Sequence, residues 1–327
     1  MSSEMQFPQL GRQQSTSNTY AEEGARIVRK LSAEIRSSDS SLIVAHFIAS
    51  GRRFTQRTFR LYKACLLEHL ATLGAPPSVL RTLQEASSKD CAKKGAATTS
   101  GRKLKKVSIE DRSALLGALR ASGTRSAALA ADYFEAGLIL GPRPVEWVGA
   151  SFDVLPELLP LDAPAGATHV IVFPNAKRDL NEVRGNGPTR SLYVSLSPNE
   201  AALVARVVAD ANANGSNWGA HYHQLRAALR YAGKKLWPRR KSVPCFYTTR
   251  HQSQADAKAS GKRLNEIAAM YGHASDNTST QHYARSTQGD KNMCKASPTA
   301  LSLARVRNQR VTEKTSLRPE SKNPEQK

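Results

Sequence analysis

The stretch from residue 247 to residue 283 reads YTTRHQSQADAKASGKRLNEIAAMYGHASDNTSTQHY. Its spacing of apolar residues predicts two short helices, and Gly272 is placed to end the second one. Arg250 lies near the start of the first helix, His273 follows the glycine, and Tyr283 comes ten residues later. A guanidinium, an imidazole and a phenol are groups that bind a phosphate and attack it, so this stretch is the candidate functional region.

The overall charge of the chain points to a polyanionic partner. The 327 residues carry a net charge of +21 at neutral pH, and the basic excess is spread along the whole chain. This pattern favours a long contact surface on nucleic acid over a single tethering arm. The alternative is a solvated basic face. A membrane surface is disfavoured, because the sequence has no long basic amphipathic helix and no apolar run near about 18 residues.

The four cysteines indicate reduced thiols. They are far apart, and no Cys-x-x-Cys pair occurs that would favour a zinc ribbon or a redox motif: Cys65, Cys91, Cys245 and Cys294. The first twenty residues are polar and lack the apolar core of a signal peptide. We therefore expect a soluble, cytoplasmic protein without a metal or another cofactor.

The first third of the chain is predicted to be helical. Residues 1–19 are rich in Gln and Ser and are predicted to be disordered. Residues 20–86 are predicted to form a small all-α domain, with helices at about 20–35, 55–73 and 78–85. Its middle helix carries three candidate contacts to a DNA backbone: Arg57, Arg60 and Lys63. Residues 87–107 are small and basic, which predicts an interdomain linker that either follows a phosphate backbone or is simply solvated.

Residues 108–296 are predicted to form an α+β domain that is mainly α-helical, with a small antiparallel β-sheet. It opens at Ser108, a candidate N-cap with Asp111 three residues later. Two β-rich runs, 168–173 and 190–196, predict the paired strands. Helices are predicted at about 109–121, 125–139, 198–213, 219–233, 248–260 and 263–271.

Two arginines are the candidate phosphate ligands. Arg143 precedes Pro144, which is well suited to the first position of a helix. Arg250 is expected in the first turn of a helix that is capped by Thr248 or Thr249. Guanidinium groups bind phosphate oxygens bidentately, and the start of a helix also favours an anion.

The remaining steps of phosphodiester chemistry need a nucleophile and an acid. Tyr283 lies in a polar stretch and is the candidate nucleophile, since a phenol can form a covalent phosphotyrosyl ester. Lys177 follows the first predicted strand and is the candidate general acid for the leaving oxygen, with Arg178 and Arg184 as competitors. His273 is placed to bond a phosphate oxygen or handle a proton.

This ordered set resembles the tyrosine recombinases, the phage-integrase family of site-specific recombinases. Residues 136–146, AGLILGPRPVE, are similar to the family's first arginine box, and Arg250-His251 is similar to the second. Lys177 matches the lysine of its β-hairpin, with Arg190 opening the return strand. Gly272-His273 and Tyr283 match the family's glycine–histidine pair and nucleophile. The likeness is strong over 108–290 and weaker over 20–86, which resembles a core-binding domain.

The resemblance implies integrase-like cutting and rejoining of double-stranded DNA, independent of metal and ATP, on behalf of a mobile element. It also implies a homotetramer on two DNA sites, two domains that clamp the duplex, and the possibility of a directionality factor. In residues 297–327, a short helix capped by Ser297-Pro298 carries Leu301, Leu303 and Val306. This helix docks either on a neighbouring protomer or on its own domain.

One position departs from the family pattern. Tyr247 stands three residues before Arg250, where the family usually has histidine. Tyr247 is a candidate catalytic residue that assists at the phosphate with His273, since a phenol can donate a hydrogen bond there, but it is a poor base at neutral pH. This departure keeps open a non-cutting, DNA-binding accessory or regulatory protein of the same fold. A third alternative is an enzyme that relaxes supercoiled DNA, like the type IB topoisomerases.

Overall fold

The computed structural model describes residues 14–89, 91, 104–176, 186–276 and 286–307. The chain divides into two compact units, unit 1 (Met1–Thr98) and unit 2 (Thr99–Lys327). Each unit has its own apolar core. The boundary lies within the segment 87–107 that the sequence predicts as a linker.

Unit 1 is built from four described helices: α1 (Gln14–Ile35), α2 (Ser40–Ala49), α3 (Gln56–Thr72) and α4 (Pro77–Glu85). Asp39 caps α2 by accepting hydrogen bonds from the backbone of Ser41 and Leu42. Thr55 caps α3 in the same way. The core lies between the helices and includes Ile27, Leu31, Ile43, Phe47, Phe59, Leu66, Leu70 and Leu83. The prediction of an all-α N-terminal domain is confirmed.

Two details of unit 1 differ from the prediction. Helix α1 begins at Gln14, so the predicted disorder of residues 1–19 is wrong from residue 14 onward. Ser, Thr and Asn favour the ends of helices, and a polar composition therefore does not exclude a first turn. Helix α2 was not predicted, because its apolar run LIVAHFIA is nearly continuous and lacks the one-sided period that marks a surface helix.

Unit 2 contains most of the chain. Its helices are α5 (Ile109–Arg120), α6 (Arg125–Leu140), α7 (Pro198–Ala213), α8 (Trp218–Leu236), α9 (Phe246–Ala259), α10 (Leu264–Met270) and α11 (Ala300–Ala304). Helix α6 is central, because it packs against α5, α7, α8 and α9. Gly137 lets α6 approach α9 closely, since a Cβ there would lie 2.6 Å from the hydroxyl oxygen of Thr249.

A four-stranded antiparallel sheet completes unit 2, in the order β1 (Ser151–Val154), β2 (His169–Pro174), β3 (Thr189–Val194) and β4 (Ala296–Pro298). Strands β2 and β3 pair with Ile171 opposite Leu192 and Phe173 opposite Arg190. These four side chains are buried together. A mainly helical fold with a small antiparallel sheet is therefore confirmed.

The two outer strands, β1 and β4, were not predicted from the sequence. β1 has only four residues and is mostly exposed, so the alternation of Phe152 and Val154 with polar residues is too short a signal. The predicted cap Ser297-Pro298 is wrong, since these residues belong to β4 and Thr299 caps α11 instead. A proline is tolerated in a strand at the edge of a sheet, where its missing N–H leaves no neighbour without a donor.

Helix α11 packs on its own unit. Leu303 lies half buried against Ala268, Ala269 and Val306, and Asn186 donates to the backbone carbonyl of Ser302 at 3.0 Å. Leu301 points away from this contact and is 63% exposed. Two of the three apolar side chains of the predicted docking helix are thus covered within the chain itself.

Candidate phosphate-binding site

Glu146 lies at the centre of a buried cluster of charges in unit 2. Its carboxylate accepts from Arg143 Nη1 at 2.6 Å and from Arg190 Nη2 at 2.8 Å, and it lies 3.6 Å from Arg250 Nη1. The Glu146, Arg190 and Arg250 side chains are fully buried, and that of Arg143 is 8% exposed. Three cations thus share one anion, which leaves the cluster positively charged.

Arg143 is placed by the end of α6. Gly141 has a φ of +61°, which ends the helix in the left-handed conformation that glycine favours. Pro144 is the first residue of a new helix, as the sequence predicts, and this helix is a single 3-10 turn, Pro144–Trp147. The Glu146 carboxylate accepts from the backbone N–H of Arg143 at 2.7 Å. The start of this turn therefore already binds an anion, the Glu146 carboxylate.

Arg250 lies in the second turn of α9, not in the first. The helix is capped by Cys245, whose N–H donates to the Thr248 hydroxyl at 3.0 Å, so the prediction that Thr248 or Thr249 is the N-cap is wrong. Arg250 donates to the carbonyls of Gly141 at 2.9 Å and Tyr271 at 2.6 Å. Two backbone contacts from different elements fix the plane of this guanidinium.

His273 reaches the cluster through the end of α10. The N–H groups of Gly272 and His273 donate to the carbonyls of Ala269 and Ala268. These two hydrogen bonds form the Schellman motif of a helix that ends at a glycine. Gly272 has a φ of +63°, as the sequence predicted for a terminating glycine. His273 Nε2 then lies 3.3 Å from Arg250 Nη2. Arginine can only donate, so Nε2 accepts and the ring proton is on Nδ1.

The charges of the cluster hold its ionisable groups in defined states. Burial and the neighbouring arginines Arg250, Arg143 and Arg190 lower the pKa of His273 well below its ordinary value, so the ring is neutral at pH 7. Burial alone would raise the pKa of Glu146, but the same three arginines outweigh it and hold that pKa far below its usual range. The carboxylate therefore stays ionised.

Arg190 was not singled out as a site residue from the sequence. It donates to Glu146, to the Asn175 side-chain oxygen at 2.8 Å and to the Met270 carbonyl at 2.8 Å. Burial lowers its pKa to about 10, against the raising effect of Glu146, so it remains charged at neutral pH. The signal that marks it is its position, because it shares the inward face of β3 with Leu192 and Val194.

Lys177 and Tyr283 lie outside the described residues, as do Arg178 and Arg184. Ala176, the residue directly before Lys177, contacts the cluster, since its N–H donates to Glu146 at 3.2 Å.

The chain beyond Tyr283 returns to α9. Gln252 donates to the carbonyl of Gln288 at 3.0 Å, and Asp256 accepts from the N–H of Asp290 at 2.8 Å. Gly289 makes this approach possible, because a Cβ there would lie 2.1 Å from the carbonyl oxygen of Ala255. Residues 288–290 are therefore anchored on the helix that carries Arg250.

Tyr247 lies one turn before Arg250 on α9. It is half buried, and its ring centroid lies 5.9 Å from that of His251. Residues three apart on a helix share one face, so Tyr247 and Arg250 are neighbours along α9.

The candidate DNA contacts of unit 1 differ among themselves. On α3, Arg57 is exposed, and Arg60 is exposed with its Nε 3.2 Å from the hydroxyl of Ser88. The Lys63 ammonium instead donates to the carbonyls of Gln84 at 2.6 Å and Ala86 at 2.9 Å, where α4 ends. Lys63 thus ties two helices of unit 1 together.

Neither a metal-binding group nor a membrane span occurs among the described residues. Within the described ranges, no three His, Cys, Asp or Glu side chains come together as a possible metal-ligand group. No described helix combines the length and the apolar character that crossing a membrane requires.

Comparisons with known proteins give one structural likeness. No protein-family model matches the chain, and no curated protein matches it. A crystal structure of XerA recombinase aligns with a TM-score of 0.34 and 11% sequence identity, over 83% of this chain and 95% of that one. At this identity and TM-score the likeness supports no conclusion about function. The function is therefore inferred from the chemistry of the buried cluster.

Proposed function

We propose that this protein breaks and rejoins double-stranded DNA as a tyrosine-type site-specific recombinase. The observation that supports this most is the buried cluster, in which Arg143, Arg190 and Arg250 share the single carboxylate of Glu146. Guanidinium groups held in fixed planes match a phosphate whose non-bridging oxygens gain charge in the transition state. Such a cluster would stabilise that charge without a metal ion.

Arg143 and Arg250 have different roles in this proposal. Arg143 is the member of the three with an exposed side-chain edge, so the scissile phosphate meets it first. Arg250 adds positive charge from beneath and is held by two backbone carbonyls, which limits the reorganisation it undergoes during reaction. The neutral His273 next to Arg250 supplies a hydrogen-bonding group that does not repel a cationic acid.

The reacting groups are Tyr283 and Lys177. Tyr283 gives its phenol proton to water, and its oxygen attacks phosphorus and forms a 3′-phosphotyrosyl bond while the bond from phosphorus to the 5′ oxygen breaks. Lys177 gives its proton to that 5′ oxygen. The reverse reaction with the 5′-hydroxyl of a partner strand restores the backbone and frees the tyrosine. The phosphodiester energy is kept in the ester throughout, so ATP is not consumed.

The proposal includes the partners. Arg57 and Arg60 contact the DNA backbone from unit 1, and Lys63 holds α4 in place. Exchange of strands between two sites requires four active sites, so the working form is a homotetramer on two DNA duplexes, with or without a directionality factor.

Covalent trapping tests the chemistry. The protein is incubated in EDTA with nicked duplexes tiled across DNA flanking its gene, and the products are separated on denaturing gels. We expect an adduct with the parent chain and with Tyr231→Phe, whose tyrosine is exposed on α8. Tyr283→Phe is expected to form none. An adduct that persists in Tyr283→Phe would refute the assignment of the nucleophile.

A second candidate is a DNA-binding protein that does not cut. Tyr247 replaces the usual histidine, and Arg250 is fully buried with its donors engaged by backbone carbonyls. These observations are also consistent with an arginine that serves only the fold. Binding to duplexes with no adduct on any tiled fragment would favour this alternative.

A further inference from the structure

Arg190 is a cation that the proposed reaction does not use. Its side chain is fully buried, and its donors are directed to Glu146, Asn175 and the Met270 carbonyl. It therefore has no surface to offer to a phosphate. A buried arginine with three short contacts is costly to desolvate, so its presence beside two phosphate-binding arginines requires an explanation.

The explanation lies in how the Glu146 oxygens are shared. One of them, Oε2, accepts from Arg190 Nη2 at 2.8 Å and lies 3.6 Å from Arg250 Nη1. Arg190 and the backbone N–H of Arg143, at 2.7 Å, therefore hold this oxygen at hydrogen-bond distance, while Arg250 pairs with it from beyond that distance. If Arg190 were absent, Oε2 would lose one of these two donors, and a closer pair with Arg250 would offset more of the charge that a phosphate needs.

Arg190 is itself held against rotation. Its Nε and Nη1 are tied to the end of α10 and to Asn175, in the first residues after β2. Asn175 in turn donates to the carbonyls of Asn186 at 2.9 Å and Gly187 at 3.0 Å. Gly272 packs on the same amide, because a Cβ there would lie 2.3 Å from the Asn175 oxygen. The third contact, to Glu146, is thus fixed in direction.

We propose that Arg190 is a positioning residue, which holds Glu146 away from Arg250 and so keeps the charge of Arg250 available to a phosphate. The inference rests on the proposed function only for its rate measurement, since affinity for phosphate can be measured without cleavage. It predicts that Arg190 acts through the Glu146 carboxylate. Removing the arginine should therefore matter much less once Glu146 has been replaced.

Three full-length variants test this: Arg190→Met, Glu146→Gln and the double variant. Inorganic phosphate is titrated against the arginine Nε–H signals by NMR, and the rate of adduct formation is measured on the nicked duplex. Arg190→Met should lose about tenfold or more in both, because it releases a charged hydrogen bond that Arg250 then takes. In the Glu146→Gln background the same change should cost less than about threefold, since no carboxylate remains to neutralise Arg250.

The outcomes separate this inference from the proposed function. A loss of the same size from Arg190→Met in the Glu146→Gln background, with all variants folded, would show that Arg190 is merely structural and would overturn the inference. If Arg190→Met does not fold, the double variant is compared with Glu146→Gln: equal phosphate affinity supports the inference, and a further loss overturns it. If the parent forms no adduct but phosphate affinity follows the expected pattern, the proposed function fails while the role of Arg190 stands.

Discussion

The arginines of the buried cluster in unit 2 and those on α3 of unit 1 carry the same charge in opposite surroundings. Arg190 and Arg250 are fully buried, and each makes several contacts of fixed direction. Arg57 and Arg60 are exposed at the surface of a helix. A buried cation can be held in one geometry, while an exposed one is mobile and screened by salt.

This difference separates two effects within one net charge of +21. The buried arginines can stabilise a transition state, because their orientation is set before the substrate arrives. The exposed ones can add affinity and speed of association, without fixing which bond reacts. Substitutions in the cluster should therefore change rates by large factors, and substitutions on α3 should change the dependence of binding on salt.

The largest effect is expected at Arg250. Arg250→Lys keeps the positive charge but loses the planar fork, and with it the two carbonyl contacts at fixed angles. We expect adduct formation to slow by about a thousandfold, while duplex affinity changes far less. The rate is measured on nicked duplexes at saturating protein.

Arg206→Lys on α7 is the matched control, because Arg206 is exposed and pairs with Asp132 outside the cluster. It should react at the parent rate. Folding of unit 2 can be checked by fluorescence, since all three tryptophans lie in it: Trp147, Trp218 and Trp237. If Arg250→Lys cuts as fast as Arg206→Lys, the geometry of the cluster does not matter for the reaction.

The next effect concerns the close approach of α6 and α9 that supports the cluster. Gly137→Ala would place a Cβ 2.6 Å from the Thr249 hydroxyl, next to Arg250. We expect a loss of about 1–3 kcal/mol in the free energy of unfolding, measured by tryptophan fluorescence in denaturant. Gly117→Ala on α5 meets no atom within 4 Å and should instead gain about 0.5–1 kcal/mol. Equal changes in the free energy of unfolding for the two variants would show that Thr249 can move aside for a Cβ at position 137.

The sequence was sufficient for the mainly helical fold and for the paired strands β2 and β3, because their patterns are local. Strand β4 and helix α2 escaped it for physical reasons. A three-residue strand that contains proline has no period, and α2 is apolar on nearly all sides. Their conformations are decided by packing against the rest of their units.

The candidate site divides in the same way. Arg143, Arg250 and His273 could be proposed from their spacing and from a family resemblance, and the structure brings these three together. The central place of Glu146 and the contacts of Arg190 depend on tertiary register, since the two residues are 44 positions apart. The local sign of Arg190 in the sequence is an arginine on the inward face of a predicted strand, which indicates a buried cation.

A smaller effect is expected from pH. The pKa of His273 is lowered in the folded protein by burial and by Arg250, Arg143 and Arg190, with Glu146 opposing them. Below about pH 6.5 the unfolded chain takes up a proton that the folded one does not, so stability is lost as the pH falls. Unit 2 should therefore lose up to about 1.4 kcal/mol per pH unit from this residue.

His273→Gln should remove this component, which is measured as the difference between parent and variant in unfolding free energy from pH 5 to 7.5. The other seven histidines are common to both proteins and cancel in the difference. Parallel stability curves for the two proteins would mean that the pKa of His273 is the same in the folded and the unfolded chain, and that folding does not lower it.

The smallest effect is expected on α3, where it separates a DNA contact from a structural cation. Arg57→Ala should lower the slope of log K against log salt by about 1, because one phosphate contact is lost. Lys63→Met should leave that slope unchanged and destabilise unit 1, since its ammonium holds the carbonyls of Gln84 and Ala86. Both are measured with one non-specific duplex over a range of salt, and unit 1 is followed by hydrogen exchange. If Lys63→Met changes the slope as much as Arg57→Ala, the division between the two kinds of cation fails at α3.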